Sequence, residues 1–225
     1  MIKAVVFDFD GVIIDSEGIK LEAWSGLFDG SEFQDSARKT VPEVLSYYGQ
    51  QTRFNILREI FKKLDQSEEK IESLVAEYAA RFNRNVQEAI LVRGADSETK
   101  KVLRSLSQNY LIFIVSNTPE KALLESVEAL GIADFFKNVF GRPENTKETI
   151  GAKETNLEKI RQMENVSPRE MVYIGNEDLD RLSAQKFGCR FIGFVGFEEN
   201  KNQWSGHDFP VIGNFNSLEA IAENL

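Results

Sequence analysis

The sequence predicts an α/β fold: a doubly wound, mostly parallel sheet, interrupted after its first strand by an inserted α-helical module. Three observations carry this expectation. The chain opens on a short apolar run, Ala4-Val5-Val6-Phe7, of the kind that forms a fully buried strand. From about residue 98 onward, apolar strands alternate with amphipathic helices, which implies parallel pairing and right-handed crossovers. Between them, from about Glu17 to Val92, the texture is helical throughout.

The first strand ends in Asp8-Phe9-Asp10-Gly11, where Gly11 permits a tight turn. In the helical block Leu21, Trp24, Leu27 and Phe28 recur at helical spacing, as do Phe54, Leu57, Ile60, Phe61 and Leu64. Ile71, Leu74, Val75, Tyr78, Ala79 and Phe82 form a third stripe, and all three read as the interior of a helix bundle. A helix near Thr99–Gln108 then precedes a strand at Tyr110–Val115, with a helix near Glu120–Leu130 after it. A short strand near Asn138–Phe140 and a helix near Asn156–Glu164 come next. The strand Met171–Ile174 leads to a helix near Asp178–Phe187, and Cys189–Val195 is a further strand. A strand near Phe209–Ile212 and a helix near Leu218–Asn224 complete a Rossmann-like series. Residues 1–16 and 92–225 therefore form the sheet core, and residues 17–91 a helical cap placed to hang over the carboxyl edge of the sheet.

The chain has 225 residues, enough for a substantial core with a smaller module. Hydrophobic residues make up 42% and charged residues 28%, as expected of a water-soluble globular protein. The net charge of −9, with no cluster of Lys and Arg, argues against nucleic acid or an anionic membrane as a partner. A single cysteine, Cys189, rules out an intrachain disulfide and reads as a small buried residue. With no signal peptide or long apolar span visible, the expectation is a cytoplasmic protein, monomeric or weakly dimeric.

Chemistry concentrates at the end of the first strand. Unpaired carboxylates are costly to bury, so Asp8 and Asp10 should emerge at the strand's carboxyl edge, where open α/β sheets place their ligands. Residues i and i+2 share a strand face, so both carboxylates can reach one small site. Oxygen ligands gathered this way suit Mg²⁺, and a carboxylate beside Mg²⁺ can attack a phosphoryl group. An Asp-rich turn reads equally well from Asp-x-Asp alone. The whole word Asp8-Phe9-Asp10-Gly11-Val12-Ile13-Ile14-Asp15-Ser16 resembles the opening motif of the haloacid dehalogenase superfamily. The resemblance is to its phosphoglycolate phosphatase and β-phosphoglucomutase-like branch.

Three further segments follow in the order this resemblance requires. Leu111-Ile112-Phe113-Ile114-Val115-Ser116-Asn117-Thr118-Pro119 is an apolar strand ending in a hydroxyl and an amide. Thr118 as helix N-cap and Pro119 at the first helical position satisfy helix capping, which leaves Ser116 unused. A hydroxyl and N–H groups beside a helix N-terminus suit a phosphate. In the resemblance, Ser116 matches the residue contacting the phosphoryl group and Asn117 follows it. Lys153 fits the superfamily's lysine ahead of a helix, without the common Lys-Pro pair; a lysine in a polar loop is ordinarily solvated, and Lys147 competes. Its implied role is to offset charge on the carboxylates and the transferring phosphoryl oxygens. Finally, Met171-Val172-Tyr173-Ile174-Gly175-Asn176-Glu177-Asp178-Leu179-Asp180 resembles the superfamily's strand–Gly-Asp-x-x-x-x-Asp–helix segment. Here Asn176 stands where the metal-binding aspartate is usual, and an amide oxygen can ligate Mg²⁺ but brings no charge. Glu177, Asp178 and Asp180 are candidates to supply it; acids in a helix's first turn are also favoured by the helix dipole. Asp178 reads as that ordinary case, and Asp180, with Glu177, as a support behind the metal ligands.

The resemblance spans essentially the full chain and implies two-step phosphoryl transfer on a small phosphorylated metabolite. Asp8 would be the nucleophile, Asp10 the general acid and then base, and Ser116 and Lys153 the phosphoryl contacts. Gly11, Asn117 and Arg53 would bind substrate, and Asp8, Asp10 and Asn176 would hold Mg²⁺. Dehalogenases of the superfamily lack the second aspartate of the first motif, so Asp10 points to phosphate chemistry. Tyr48-Gly49-Gln50-Gln51-Thr52-Arg53-Phe54 resembles a cap loop facing the active site in related enzymes. Arg53 reads either as a bidentate holder of a distal anion or as a surface arginine. His207, in a polar loop with no metal-ligand spacing, reads as surface, and Trp204 as packing. A phosphomutase of a sugar phosphate shares every motif, and Asn176 makes a catalytically weakened phosphate-binding relative a second alternative.

Overall fold

A computed structural model of the protein describes residues 1–49, 51–143, 151–197, 204, 206 and 208–225. The chain divides into two compact units, one comprising residues 1–16 and 93–225, the other residues 17–92.

The first unit is built on six parallel strands: β1 (Ala4–Phe7), β2 (Leu111–Pro119), β3 (Asn138–Arg142), β4 (Met171–Gly175), β5 (Arg190–Phe194) and β6 (Val211–Ile212). Their order is β3-β2-β1-β4-β5-β6, with every pairing parallel. The order reverses at β1, between β2 on one side and β4 on the other, and open α/β sheets place their ligands at the carboxyl ends of strands at such a switch point. All four residues of β1 are buried, as its unbroken apolar run requires. Alternation splits them between the two faces of the sheet. Ala4 and Val6 pack with Phe113, Val115, Met171 and Tyr173 against Leu157 and Ile160 of α7 (Ala152–Glu164) and Ala184 of α8 (Asp178–Phe187). On the other face, Phe7 meets Phe136 and Phe215 edge-on, with ring centroids 6.1 and 5.5 Å apart. Helices α5 (Ser97–Asn109) and α6 (Glu120–Ala129) also pack on β2, and α9 (Leu218–Asn224) closes the chain.

Several boundaries differ from the sequence expectation for physical reasons. Strand β2 runs on to Pro119, which itself occupies the N-cap of α6 and contributes no side-chain cap; Thr118 belongs to the strand. Helix α7 begins at Ala152, because Gly151, at φ +82°, turns the chain directly into it. Lys153 is therefore a first-turn residue of a helix and not a loop side chain. Cys189 is half-buried, packed at the margin of the α7–α8 side of the core, and burial pushes its thiol up to about 12. Trp204 is buried, with its ring 5.7 Å from Phe191 and 5.4 Å from Phe209.

The second unit holds most of α1 (Ser16–Ser25), then α2 (Gln34–Tyr48), α3 (Arg53–Lys63) and most of α4 (Glu68–Arg93). Its interior is aromatic: Phe28 stacks on Tyr78 at 4.8 Å, Phe61 meets Tyr78 at 5.2 Å and Phe33 at 5.6 Å, and Trp24 meets Phe82 at 4.4 Å. Two members of the expected stripes, Leu21 and Phe54, are exposed; helical spacing marks a stripe but not which residues stand at its margin. Among the described residues no helix is long and apolar enough to cross a membrane.

Gly175 ties the sheet to what lies at its edge. A Cβ there would sit 2.3 Å from the Cβ of Asp180, closer than atoms of a packed interior can stand. Gly175→Ala should therefore lower stability by about 1–3 kcal/mol in urea unfolding, the usual scale of an overpacked interior. Unchanged stability would mean that Asp180 can retreat.

Candidate active site

Asp8 follows β1 directly. Its N–H donates to the Ile174 carbonyl at 2.8 Å, extending the β1–β4 ladder by one residue. Its Oδ1 accepts the Phe9 N–H at 2.8 Å, and its Oδ2 lies 3.1 Å from Nζ of Lys153. The same ammonium donates to Oδ1 of Asp180, so one buried cation is shared between two buried carboxylates. Asp180 is itself fixed from three sides. Its Oδ2 accepts the N–H groups of Asn176 (3.1 Å) and Glu177 (3.0 Å), and the Tyr173 hydroxyl stands 3.2 Å from its Oδ1 while donating to the Val115 carbonyl at 2.9 Å.

The sequence of α8 explains this arrangement. Glu177 is the N-cap and forms a capping box with Asp180, so both acids are engaged at the head of the helix. Asp178, the next acid, lies exposed and accepts from Arg181 at 2.7 Å, the ordinary surface role expected of it. Asp180 thus serves Lys153 and the turn after β4, standing behind the site. Glu177 takes part in the capping box at the head of the helix.

The turn after β1 brings in the second aspartate. Gly11, at φ +71°, donates to the Ile14 carbonyl at 2.8 Å, and the Ile13 N–H donates to the Phe9 carbonyl at 2.9 Å. A Cβ on Gly11 would lie 2.3 Å from Nδ2 of Asn176, so glycine there serves the turn and leaves room for the Asn176 amide. The Thr118 hydroxyl donates to Oδ2 of Asp10. Thr118 was expected to cap α6; its hydroxyl is instead directed across the strand ends to Asp10. Ser116 is buried one residue pair earlier, its Oγ accepting the Thr118 N–H at 3.2 Å.

Two amide oxygens stand out. Oδ1 of Asn176 and Oδ1 of Asn117 are buried and accept no hydrogen bond among the described residues. A buried orphan acceptor is costly unless something fills its lone pairs. The strand edge also carries excess negative charge. Burial pushes the Asp8 carboxyl up to about 8; Lys153 acts against this, while Asp180 and Asp10 add to it. For Lys153, burial disfavours the ammonium, yet Asp180 and Asp8 more than offset that and hold it firmly protonated. An orphan amide oxygen beside Gly11, with the Asp8 carboxylate and the chain at Asp10 close by, is a donor set that fits a hard dication such as Mg²⁺. It is an electrostatically weak one: among the described residues no three acidic, His or Cys side chains are grouped to hold a metal.

The structure therefore brings together Asp8, Asp10, Gly11, Ser116, Asn117, Lys153, Asn176 and Asp180 at the carboxyl edge of β1, β2 and β4. Thr118 and Tyr173 are the two site residues that sequence reasoning passed over, one assigned to a cap and one to a strand interior. Arg53 lies in the other unit, half-buried in the first turn of α3, with its guanidinium 5.3 Å from the Phe54 ring centre. Lys147 and His207 lie outside the described residues.

The state of Asp8 has a consequence for metal-free stability. Its carboxyl is raised from 3.8 to about 8, so between those values the folded chain holds a proton that the unfolded chain has released. Stability must then fall as pH rises through this window, being greatest, as far as this group decides, below the unfolded value. In metal-free buffer the wild type should lose stability relative to Asp8→Asn between about pH 5 and pH 8. Parallel pH profiles in urea unfolding would show that Asp8 is already ionised in the folded protein.

A family model described as haloacid dehalogenase-like hydrolase matches residues 5–194. A curated relative, the phosphoglycolate phosphatase of Vibrio vulnificus (strain YJ016), is 26% identical over 206 residues, covering 86% of this chain and 84% of its own. Among solved structures, the 2-haloacid dehalogenase of Pseudomonas syringae pv. Tomato DC3000 superposes with a TM-score of 0.69 at 19% identity, covering 100% of this chain and 99% of its own. The HAD-hydrolase YfnB of Bacillus subtilis, solved bound to magnesium, gives 0.67 at 17% identity, covering 99% of both chains. At such identities the structural likeness speaks for the fold, while the family match spans the first strand to the fifth and takes in every core site residue. The chain belongs to the haloacid dehalogenase-like hydrolases.

Proposed function

We propose that the protein is a Mg²⁺-dependent phosphatase that hydrolyses a small phosphomonoester through an aspartyl phosphate on Asp8. The observation that carries this reading is the Asp8 carboxylate, buried at the strand edge, 3.1 Å from a buried lysine and two residues before a second carboxylate held by Thr118. An oxygen of Asp8 bonds to phosphorus as the bond from phosphorus to the leaving oxygen breaks, and Asp10 gives that oxygen a proton. Asp10 then takes a proton from water, whose oxygen bonds to phosphorus while the bond to Asp8 breaks, returning Asp8 and releasing inorganic phosphate. Lys153 offsets charge on Asp8 and the phosphoryl oxygens, and Ser116 and Asn117 line the position those oxygens occupy. Asp8, the main-chain carbonyl of Asp10 and Asn176 would hold Mg²⁺, which supplies charge that lets two anions approach. The magnesium-bound YfnB supports this choice of metal.

The relative from Vibrio vulnificus is named for a small acidic phosphoester, and this supports a substrate of that size and charge. Arg53, in the first turn of α3, is the proposed holder of a distal anion on the substrate. The enzyme would work in the cytoplasm as a monomer or weak dimer, on a phosphorylated metabolite and not on nucleic acid or membrane. A second reading, a weakened phosphate-binding relative, is favoured by one observation: the neutral Asn176 in the metal position.

Phosphate release from p-nitrophenyl phosphate with and without Mg²⁺ separates the two readings. Activity should require Mg²⁺ and vanish in Asp8→Asn; activity persisting in that variant would sink the covalent mechanism. Asn176→Asp should tighten Mg²⁺ binding by about 1–3 kcal/mol, the scale of a charge-assisted contact, in a titration at fixed ionic strength. Unchanged or weaker affinity would remove Asn176 from the ligand set.

A further inference from the structure

Resting on the phosphatase reading, we infer that Thr118 is the positioning residue for the general acid and base, Asp10. Its hydroxyl is not engaged in capping α6, whose N-cap is Pro119 with no side-chain cap bond. It donates instead to Oδ2 of Asp10, a partner 108 residues away in sequence. The donor is held in turn from behind: the Thr118 N–H donates to Oγ of Ser116 at 3.2 Å, and Ser116 is buried. Thr118 lies in the irregular stretch of β2 between its pairings Val115–Phe140 and Pro119–Arg142 with β3. Its β-branched side chain has few χ1 rotamers open to it, and the hydroxyl reaches from there to Asp10 in the turn after β1.

The consequence is geometric. A carboxyl that must donate a proton in one step and accept one in the next has to present the same edge both times. A carboxylate free to rotate about χ2 loses that alignment, and a misplacement of an ångström in an acid–base group is costly. The Thr118 hydroxyl fixes the plane of the Asp10 carboxyl by bonding one of its oxygens. Thr118 keeps its own proton throughout; the proton passed to the leaving oxygen, and the one later taken from water, both travel through Asp10. Ser116 thereby acquires two duties, phosphoryl contact through its hydroxyl and support of Thr118 through the same oxygen.

The role predicts a dependence on the leaving group that loss of packing would not produce. p-Nitrophenolate leaves as a stable anion and has little need of an acid, whereas an alkoxide requires its proton as the bond breaks. Thr118→Val keeps the β-branched shape and removes the donor; Thr118→Ser keeps the donor. The experiment compares both variants with wild type on p-nitrophenyl phosphate and on alkyl esters (phosphoglycolate, glycerol phosphate and a hexose phosphate), in Mg²⁺. Thr118→Val should lower kcat on whichever alkyl esters the wild type hydrolyses by at least about tenfold, the low end for acid–base catalysis or below, with KM little changed. On p-nitrophenyl phosphate the rate of the nitrophenolate burst, which needs no acid, should fall less than about threefold, whereas the later steady-state rate also needs Asp10, to take a proton from water. Thr118→Ser should restore the alkyl rate. A nitrophenolate burst slowed as much as alkyl-ester turnover, or a Ser variant as slow as the Val variant, would overturn the role of Thr118 while leaving the phosphatase reading intact. A wild type inert on all four esters would remove both.

Discussion

The site depends on one buried cation. Lys153 lies between Asp8 and Asp180, and each of the three side chains comes from a different segment: the end of β1, the head of α7 and the head of α8. Burying a charge is expensive, and the penalty is met only where partners and hydrogen bonds are complete. Asp180 satisfies that condition through two backbone N–H groups on its second oxygen, so it is the fixed end of the arrangement. Lys153 is thereby fixed as well, and Asp8 is held against it. The segments cannot dock on the sheet without assembling the site, and the site cannot assemble unless they dock.

The arrangement also leaves an imbalance. One ammonium serves both Asp8 and Asp180, with Asp10 a further negative charge near Asp8, and the Asp8 carboxyl is pushed up to about 8, chiefly by burial. A protonated carboxyl is a poor nucleophile. The orphan amide oxygen of Asn176, kept in place by the absence of a Cβ at Gly11, lies where further positive charge would correct this. In the proposed metal site an amide stands in place of the usual acid, so charge on Asp8 and Asp10 would have to carry more of the attraction for a dication. Two of the acids following Asn176 are already engaged, Asp180 with Lys153 and the turn, and Asp178 with Arg181.

Much of this was legible in the sequence, and the parts that were not have a common cause. Strand β1 and the helices α8 and α9 follow from local pattern alone: an unbroken apolar run, an acid-rich first turn and a terminal amphipathic turn. Asp8 and Asp10 could be placed at a strand edge because carboxylates cannot stay within an apolar run. Lys153 was harder, since nothing local distinguishes a solvated lysine from one buried between acids contributed by residues 8 and 180. Thr118 was misassigned because Thr-Pro-Glu has the grammar of a helix start, while its actual partner is 108 residues away. Tyr173 reads as one more strand residue, and only the register of β4 shows that its hydroxyl ends at Asp180. Contacts between distant segments decide these three residues, and periodicity carries no information about them.

The central claim is that Asp8, held against Lys153, carries the phosphoryl group. It is tested most directly by trapping that group. Asp10→Asn slows transfer to water, so an acid quench during turnover of p-nitrophenyl phosphate should catch the acyl phosphate, and borohydride reduction converts it to homoserine. Peptide mass spectrometry should then find homoserine at position 8 and nowhere else. Unmodified aspartate at position 8 under conditions where the nitrophenolate is released in a burst, or modification at another residue, would contradict the account.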